Sequence, residues 1–161
     1  MRQVGPDDLA KPLQSLIARG HALPDVIEFR GVVEPAIAAL AAARITQAQL
    51  SELHELLIAQ QGKVAAGESY ADEDIRFHEV IGDAAGNELL VTMLGVIWDV
   101  LRSSREQWLQ TNARAHASLE AHHRIYDALA RRDSESARKA SAEHIRAVGE
   151  GILRLLGGRS G

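Results

Sequence analysis

The chain has no cysteine, which excludes disulfide bonds and thiolate metal sites, so any bound metal must be held by nitrogen and oxygen. Aromatic residues are also scarce, at 4% of 161 residues, whereas hydrophobic residues reach 46% and include long runs of alanine and leucine. This composition is typical of helices that pack closely through small side chains. The length fits one domain with a sizeable core.

Three further features are missing. There is no excess of positive charge, because the formal net charge is −4, which argues against nucleic acid as a partner of this chain by itself. No stretch approaches the ~20 apolar residues that a membrane span needs. Met1 is not followed by the apolar segment of a signal peptide. We therefore expect a cytoplasmic protein that binds no membrane.

The pattern of apolar residues is helical throughout, with no convincing alternation of the β type. It predicts an all-α fold, a seven-helix antiparallel bundle. The first predicted helix is short, opened by Asp7 or Asp8 and ending near Gly20. The second, third, fifth and sixth span about 24–44, 46–67, 89–110 and 112–132. The fourth begins at Ser69 or Asp72 and ends between residues 82 and 86, and the seventh runs from Asp133 or Ser134 to about 156. Pro35 should kink the second helix. Gly149 and Gly151 should let the last turns of the seventh fray or bend.

Two histidines lie at equal distances on either side of a predicted chain reversal. His122 and His144 are each eleven residues from Asp133, which is about 16 Å along a helix at roughly 1.5 Å per residue. If the chain reverses at Asp133, both imidazoles reach the same height. Asp74 and His78 have i,i+4 spacing and project from one face of an earlier helix. The sequence therefore predicts a metal site of three imidazoles and one carboxylate in the bundle core.

His122 is favoured over its neighbour His123 as the ligand. Relative to the apolar positions Ile125 and Leu129, His122 lies on the inner stripe of its helix, whereas His123 is rotated by about 100° toward a flank. A buried Asp–His hydrogen-bonded network without metal is the plainer alternative. Templates for a di-iron bundle, a zinc protease or a nucleophilic serine do not fit the chain.

The order of these motifs resembles the C-terminal effector domain, called FCD, of the FadR subgroup of GntR-family bacterial transcription regulators. The matching segments are Glu28 to Glu34 with the alanine-rich helix after it, Asp74 to His78, Ala85 to Leu90, His122 to Leu129, and Asp133 to Ile145. Together they span about residues 24–148. The short first helix favours the seven-helix FadR-like version over the six-helix VanR-like one.

The resemblance implies a divalent ion, zinc or nickel, in a pocket that also receives a small carboxylic acid. Members that bind acyl-CoA lack the full metal set, so its presence here implies a small organic acid as effector. The implied metal ligands are Asp74, His78, His122 and His144. The implied effector contacts are Arg30, for which a salt bridge with Glu34 or Asp74 is an equally good interpretation, and Arg102 and Arg105, of which at least one is expected to be exposed.

The resemblance also implies a homodimer that changes the spacing of two DNA-binding domains when the effector binds. We expect residues 1–156 to form the FCD-type domain and 157–161 a flexible tail. The family's N-terminal winged helix-turn-helix, which would contact operator DNA, is absent from this chain, either because the chain is a fragment or because it is a free-standing sensor. Two rival functions are a structural, metal-stabilised helical dimerisation module and a metal-dependent hydrolase; we expect no enzyme.

Overall fold

The structure, a computed structural model, describes residues 23–108 and 112–157 together with the helical Ser15, and it describes side chains over 24–98 and 113–154. The predicted short N-terminal helix, apart from Ser15, and the tail beyond Gly157 lie outside the described residues. So does the junction at residues 109–111.

The described residues form six α-helices and no strand, in agreement with the predicted all-α class. The helices are α1 (Leu23–Arg44), α2 (Gln47–Ala66), α3 (Ala71–Ala85), α4 (Glu88–Trp108), α5 (Asn112–Ala130) and α6 (Ser134–Gly157). Helix α1 packs most extensively against α6, and it also contacts α3, α4 and α5. None of the described helices combines the length and apolarity needed to cross a bilayer.

Short polar motifs place the helix ends close to the predicted positions. Thr46 and Gln49 form a capping box at the start of α2, in which the Gln49 amide donates to Thr46 Oγ1 at 3.2 Å. Gly67 ends α2 with a φ of 70°, a left-handed conformation that glycine adopts without strain. Asn87 caps α4, since its Oδ1 accepts from the Leu90 amide at 3.2 Å.

The start of α3 differs from the prediction. Neither Ser69 nor Asp72 is the N-cap; that position is taken by Tyr70, whose side chain makes no capping hydrogen bond. Tyr70 is 1% exposed, so packing of the ring, not a polar cap, anchors this end of the helix. Three acidic residues in the first turn supply the negative charge that favours a helix N-terminus.

The apolar core takes most of its residues from α1, α2, α3 and α5, with smaller contributions from α4 and α6. Small residues from α1 and larger aliphatic residues from the other helices fill it. Its most buried members are Ile37, Ala38, Ala41, Ala42, Ile45, Leu53, Leu57, Phe77, Val80, Ala85, Leu94, Ile125, Ala128, Leu129 and Ala137. The alanines of α1 let neighbouring helices approach closely, as the high content of small hydrophobic residues predicted.

Helix α6 continues through both of its inner glycines to Gly157, so its last turns stay helical instead of fraying, and a bend there stays a prediction. At Gly149 the helix passes so near α1 that an added Cβ would lie 2.6 Å from Ile27 Cγ2. Nothing lies within 4 Å of the same position at Gly151. Gly149 is therefore a point of close helix approach. On α1 the helix is uninterrupted at Pro35, and the predicted kink there stays a prediction.

Candidate metal centre

Three histidines from three helices meet inside the bundle. His78 comes from α3, His122 from α5 and His144 from α6, and one ring nitrogen of each lies within 4.8 Å of the others. Their exposed fractions are 6%, 0% and 4%. The reversal at Asp133 between α5 and α6 brings His122 and His144 together, as the equal spacing predicted.

The carboxylate of Asp74 lies at the same cluster. Asp74 is 4% exposed and precedes His78 by one turn of α3. Its Oδ1 is 3.4 Å from Nε2 of His122. The structure thus brings the three histidines together and places Asp74 against one of them, and metal binding by the four residues stays a prediction.

Ring stacking holds the imidazoles in place. The His122 ring stacks on Phe77 with centroids 4.4 Å apart and planes inclined by 16°. His78 and His144 stack on each other at 5.4 Å and 17°. His122 lies across this pair, 4.8 Å from His144 with an interplanar angle of 65°. With His78 and His144 stacked and His122 across them, one nitrogen of each ring lies near the same point.

Burial distinguishes His122 from its neighbour His123, as their positions on the helix predicted. His122 is fully buried, whereas His123 is exposed. Helical geometry alone separated the two, since adjacent residues differ by about 100° around the axis.

A glutamine contacts the cluster, and it was not among the predicted site residues. Gln60 on α2 is 1% exposed, and its Oε1 lies 2.9 Å from Nδ1 of His122. An amide oxygen only accepts, so His122 Nδ1 carries the proton and donates it. The signal was visible in the sequence: Gln60 interrupts the buried apolar stripe of α2 between Leu57 and Val64.

A buried ion pair adjoins the other side of the cluster. Arg30 Nε donates to Glu34 Oε1 at 2.5 Å, one turn apart on α1, and both residues are almost fully buried. The other carboxylate oxygen of Glu34 is 3.6 Å from His78 Nδ1. Arg30 therefore forms its salt bridge with Glu34 and not with Asp74, the other partner considered from the sequence. An effector role for Arg30 stays a prediction, and Glu34 links this arginine to the cluster.

The two other candidate effector contacts lie on the second half of α4. The backbone at Arg102 and Arg105 is helical, and both side chains lie outside the described residues. Their predicted contacts with an effector remain predictions.

A cavity of about 10 Å³ lies beside His78. Its polar lining comes from Glu34, His78, Trp98 and Ser141, and apolar side chains of α1, α3, α4 and α5 complete it. The indole Nε1 of Trp98 is buried there and has no hydrogen-bond partner in the described part of the chain. This volume holds about one water molecule.

A buried phenol flanks the carboxylate end of the cluster. Burial, with the Asp74 carboxylate nearby, raises the pKa of the Tyr70 hydroxyl well above its usual range, against a smaller opposing effect of Ser118. Tyr70 therefore stays protonated at neutral pH and adds no negative charge to the cluster.

The donor set fits a first-row divalent ion. Imidazole nitrogens and one carboxylate oxygen suit zinc, nickel, cobalt, iron or manganese. In tetrahedral coordination with Zn–N bonds of ~2.1 Å, two ligand nitrogens are about 3.4 Å apart. The three nitrogens, which lie within 4.8 Å of one another, would have to draw closer to reach this spacing when an ion binds. Coordination would also offset the cost of burying these polar groups.

Comparison with known proteins agrees with this architecture. A family model described as the FCD domain matches residues 25–147. The chain is 28% identical over 145 residues to the HTH-type transcriptional regulator LutR of Bacillus subtilis, covering 86% of this chain and 66% of the relative. It is 30% identical over 119 residues to the galactonate operon transcriptional repressor of Escherichia coli, covering 73% of this chain and 52% of the relative.

A solved structure of Streptococcus agalactiae GntR has the same fold, with a TM-score of 0.70 at 30% sequence identity, and the match covers 81% of this chain and 59% of that one. This chain thus spans between about half and two thirds of the length of the proteins it matches. Because the family model covers most of the chain and the fold agrees, the chain belongs to the FCD domain family of GntR-type transcription regulators.

Proposed function

We propose that this chain is the effector-sensing domain of a transcription regulator, and that it binds a divalent ion through Asp74, His78, His122 and His144 together with a small organic acid. One observation carries the proposal. Three imidazoles from three separate helices converge within 4.8 Å in a buried site. An apolar bundle has no structural need to bury so many polar rings, because burial of polar groups opposes folding unless they are satisfied.

The chemistry of the site follows from its residues. A divalent ion held by four protein ligands and open to further ones would bind a carboxylate oxygen of the effector in place of water. Arg30 lies next to the cluster through Glu34 and has the charge and fork geometry to hold the second carboxylate oxygen. Since Glu34 occupies Arg30 in this structure, an effector carboxylate has to displace Glu34 from the guanidinium.

The relatives support an acid as the effector class. One of them represses a galactonate operon, and galactonate is a sugar acid with a hydroxyl beside its carboxylate. The cavity beside His78, with the indole Nε1 of Trp98 as a buried donor, adjoins the place where such a molecule would meet the metal ligands. We therefore take hydroxycarboxylic acids as the first class to test.

The effect on DNA is proposed by analogy with the family. In a homodimeric full-length regulator, effector binding between α1 and α4 would shift these helices and thereby change the spacing of two attached DNA-binding domains. Operator affinity of the intact regulator, measured with and without the effector, tests this step. An operator affinity that does not change with effector contradicts it.

Metal and ligand titrations test the site itself. Chelator-treated protein is titrated calorimetrically with Zn²⁺ and Ni²⁺, and bound metal is counted by elemental analysis, with one ion per chain expected. Galactonate and other small hydroxy acids are then titrated into metal-loaded and metal-free protein. Galactose is the matched control because it keeps the hydroxyls and lacks the carboxylate. We expect acid binding only with metal.

The same titrations separate the rival functions. Metal binding without affinity for any acid would favour the structural dimerisation module. Steady turnover of an ester, amide or acid by the metal-loaded protein would favour the hydrolase. Absence of metal binding would leave a buried hydrogen-bonded network and overturn the proposed site.

A further inference from the structure

We infer that Gln60 is a positioning residue for the metal centre, which selects the tautomer and the ring edge that His122 presents to the other ligands. This inference rests on the proposed metal binding and adds a residue to it. It starts from the contact of 2.9 Å between Gln60 Oε1 and His122 Nδ1, which joins residues 62 positions apart in sequence. Both side chains are almost fully buried, at 1% and 0% exposure.

Ring stacking alone does not orient His122. The stack on Phe77, with planes inclined by 16°, fixes the plane of the imidazole. A rotation of 180° about the Cβ–Cγ bond keeps that plane but exchanges Nδ1 with Cδ2 and Nε2 with Cε1. Only a directional contact at the ring edge distinguishes the two states, and Gln60 provides one.

The hydrogen bond also assigns the proton. Because the amide oxygen can only accept, it faces a proton on Nδ1, and in the neutral ring the lone pair is then on Nε2. Nε2 is the atom that lies 3.4 Å from Asp74 Oδ1, on the side of the predicted ligands. A metal-binding imidazole needs this arrangement, with one nitrogen free to coordinate and the other donating to an outer acceptor.

The remaining contacts of Gln60 indicate no other use for its amide. Its Nε2 is buried and has no hydrogen-bond partner in the part of the chain that the structure describes. The neighbouring positions on the same stripe, Leu50, Leu53, Leu57 and Val64, are all apolar and buried. A polar residue at this position is therefore explained by its bond to His122.

Two substitutions and a neighbouring control test the inference. Gln60→Met keeps nearly the same volume and removes the acceptor, whereas Gln60→Glu keeps an acceptor oxygen. We expect Gln60→Met to weaken Zn²⁺ binding by about 10- to 100-fold, the effect typical of lost outer-shell partners. Gln60→Glu should stay within tenfold of the wild type. Gln61→Met, at the adjacent exposed position, should leave the affinity unchanged.

Nitrogen-15 spectra of the histidine side chains give a readout independent of metal. In metal-free wild type, the His122 signals, assigned by their loss in His122→Ala, should show the tautomer with the proton on Nδ1. In Gln60→Met this tautomer should lose its dominance. If Gln60→Met does not fold, Gln60→Asn, which withdraws the amide by one methylene, replaces it with the same expectations.

The outcomes distinguish this inference from the proposed function. Wild-type affinity for Zn²⁺ in Gln60→Met, with an unchanged tautomer, overturns the role of Gln60 and leaves the metal site standing. A wild type that binds no metal overturns the proposed function, while the tautomer comparison still decides whether Gln60 orients His122.

Discussion

The bundle contains two buried regions of opposite character that share the same helices. The apolar core is filled mainly by alanine, leucine and isoleucine. The metal centre beside it is built from buried histidine, aspartate, glutamate, arginine and glutamine. Burial of apolar surface stabilises the fold by roughly 25 cal/mol per Å², whereas burial of polar groups opposes folding unless they are satisfied. The comparison indicates that the apolar core supplies most of the stability of the fold, and it motivates the proposal that the polar region serves binding.

Removal of one ligand should have the largest effect, and this effect should fall mainly on metal binding. We expect His122→Ala to lower affinity for Zn²⁺ or Ni²⁺ by more than about 100-fold, because a lost ligand should cost more than the 10- to 100-fold of a lost outer-shell partner. Calorimetric titration measures this. His123→Ala is the matched control, since that side chain is adjacent but exposed. Equal affinities of the two variants would contradict the assignment of His122.

Truncation of a side chain in the apolar core should lower stability and leave metal affinity nearly unchanged. Leu53 is fully buried on α2, and Leu53→Ala should lower the free energy of unfolding by about 2–5 kcal/mol. Ile58, 58% exposed on the same helix, is the control, and Ile58→Ala should change stability by less than about 0.5 kcal/mol. Urea unfolding measures both. While folded, Leu53→Ala should bind metal within about threefold of the wild type; a loss as large as that of His122→Ala would remove the distinction between the two regions.

A pair of glycines tests how α6, which carries His144, is held on α1. At Gly149→Ala the new methyl would lie 2.6 Å from Ile27 Cγ2, a branched side chain that cannot easily move away. Overpacking of about 1–3 kcal/mol should outweigh the helix propensity gain of about 1 kcal/mol. We expect a net loss of up to about 2 kcal/mol in urea unfolding.

Gly151→Ala is the matched control because its position is open. It should raise stability by up to about 1 kcal/mol from helix propensity alone. If both variants are stabilised equally, α1 and α6 do not pack as closely as the structure has them. Metal affinity of Gly149→Ala then shows whether this packing also sets the place of His144.

The two regions also differ in how much of them the sequence could reveal. Local rules were enough for the helix ends at Thr46, Gly67 and Asn87, because each is decided by hydrogen bonds within a few residues. The convergence of His122 and His144 was predictable too, since equal helix lengths on either side of a reversal bring residues to the same height.

The missed features depend on contacts between helices. Gln60 and His122 are 62 positions apart, and no short-range sequence pattern predicts their contact. The salt bridge of Arg30 could be narrowed to Glu34 or Asp74, but the choice depends on how α1 packs against α3. Tyr70 replaced the predicted polar caps of α3 because burial of its ring outweighed a side-chain hydrogen bond. Tertiary packing decided all three.

The turn at Asp133 joins α5 to α6, and a substitution there should have the smallest effect. Hydrogen bonds from the Ser136 hydroxyl, at 2.6 Å, and from the Ser136 amide, at 3.0 Å, hold the pKa of the Asp133 carboxyl below its usual range. Since the pKa is lower in the folded state, the carboxylate contributes stability that is fully present above the unfolded pKa of about 3.9. That contribution is lost as the pH falls through the folded value.

We therefore expect Asp133→Ala to lower the melting temperature by a few degrees at pH 7, and the difference from wild type to shrink as the pH is lowered from about 4. Thermal unfolding followed by circular dichroism across this range measures the change. Asp127→Ala, which removes an exposed carboxylate of α5 outside the turn, should show no comparable loss. Since the reversal also depends on the buried faces of α5 and α6, metal affinity should fall less than tenfold in Asp133→Ala. A larger fall would mean that this cap, more than helix packing, brings His122 and His144 together.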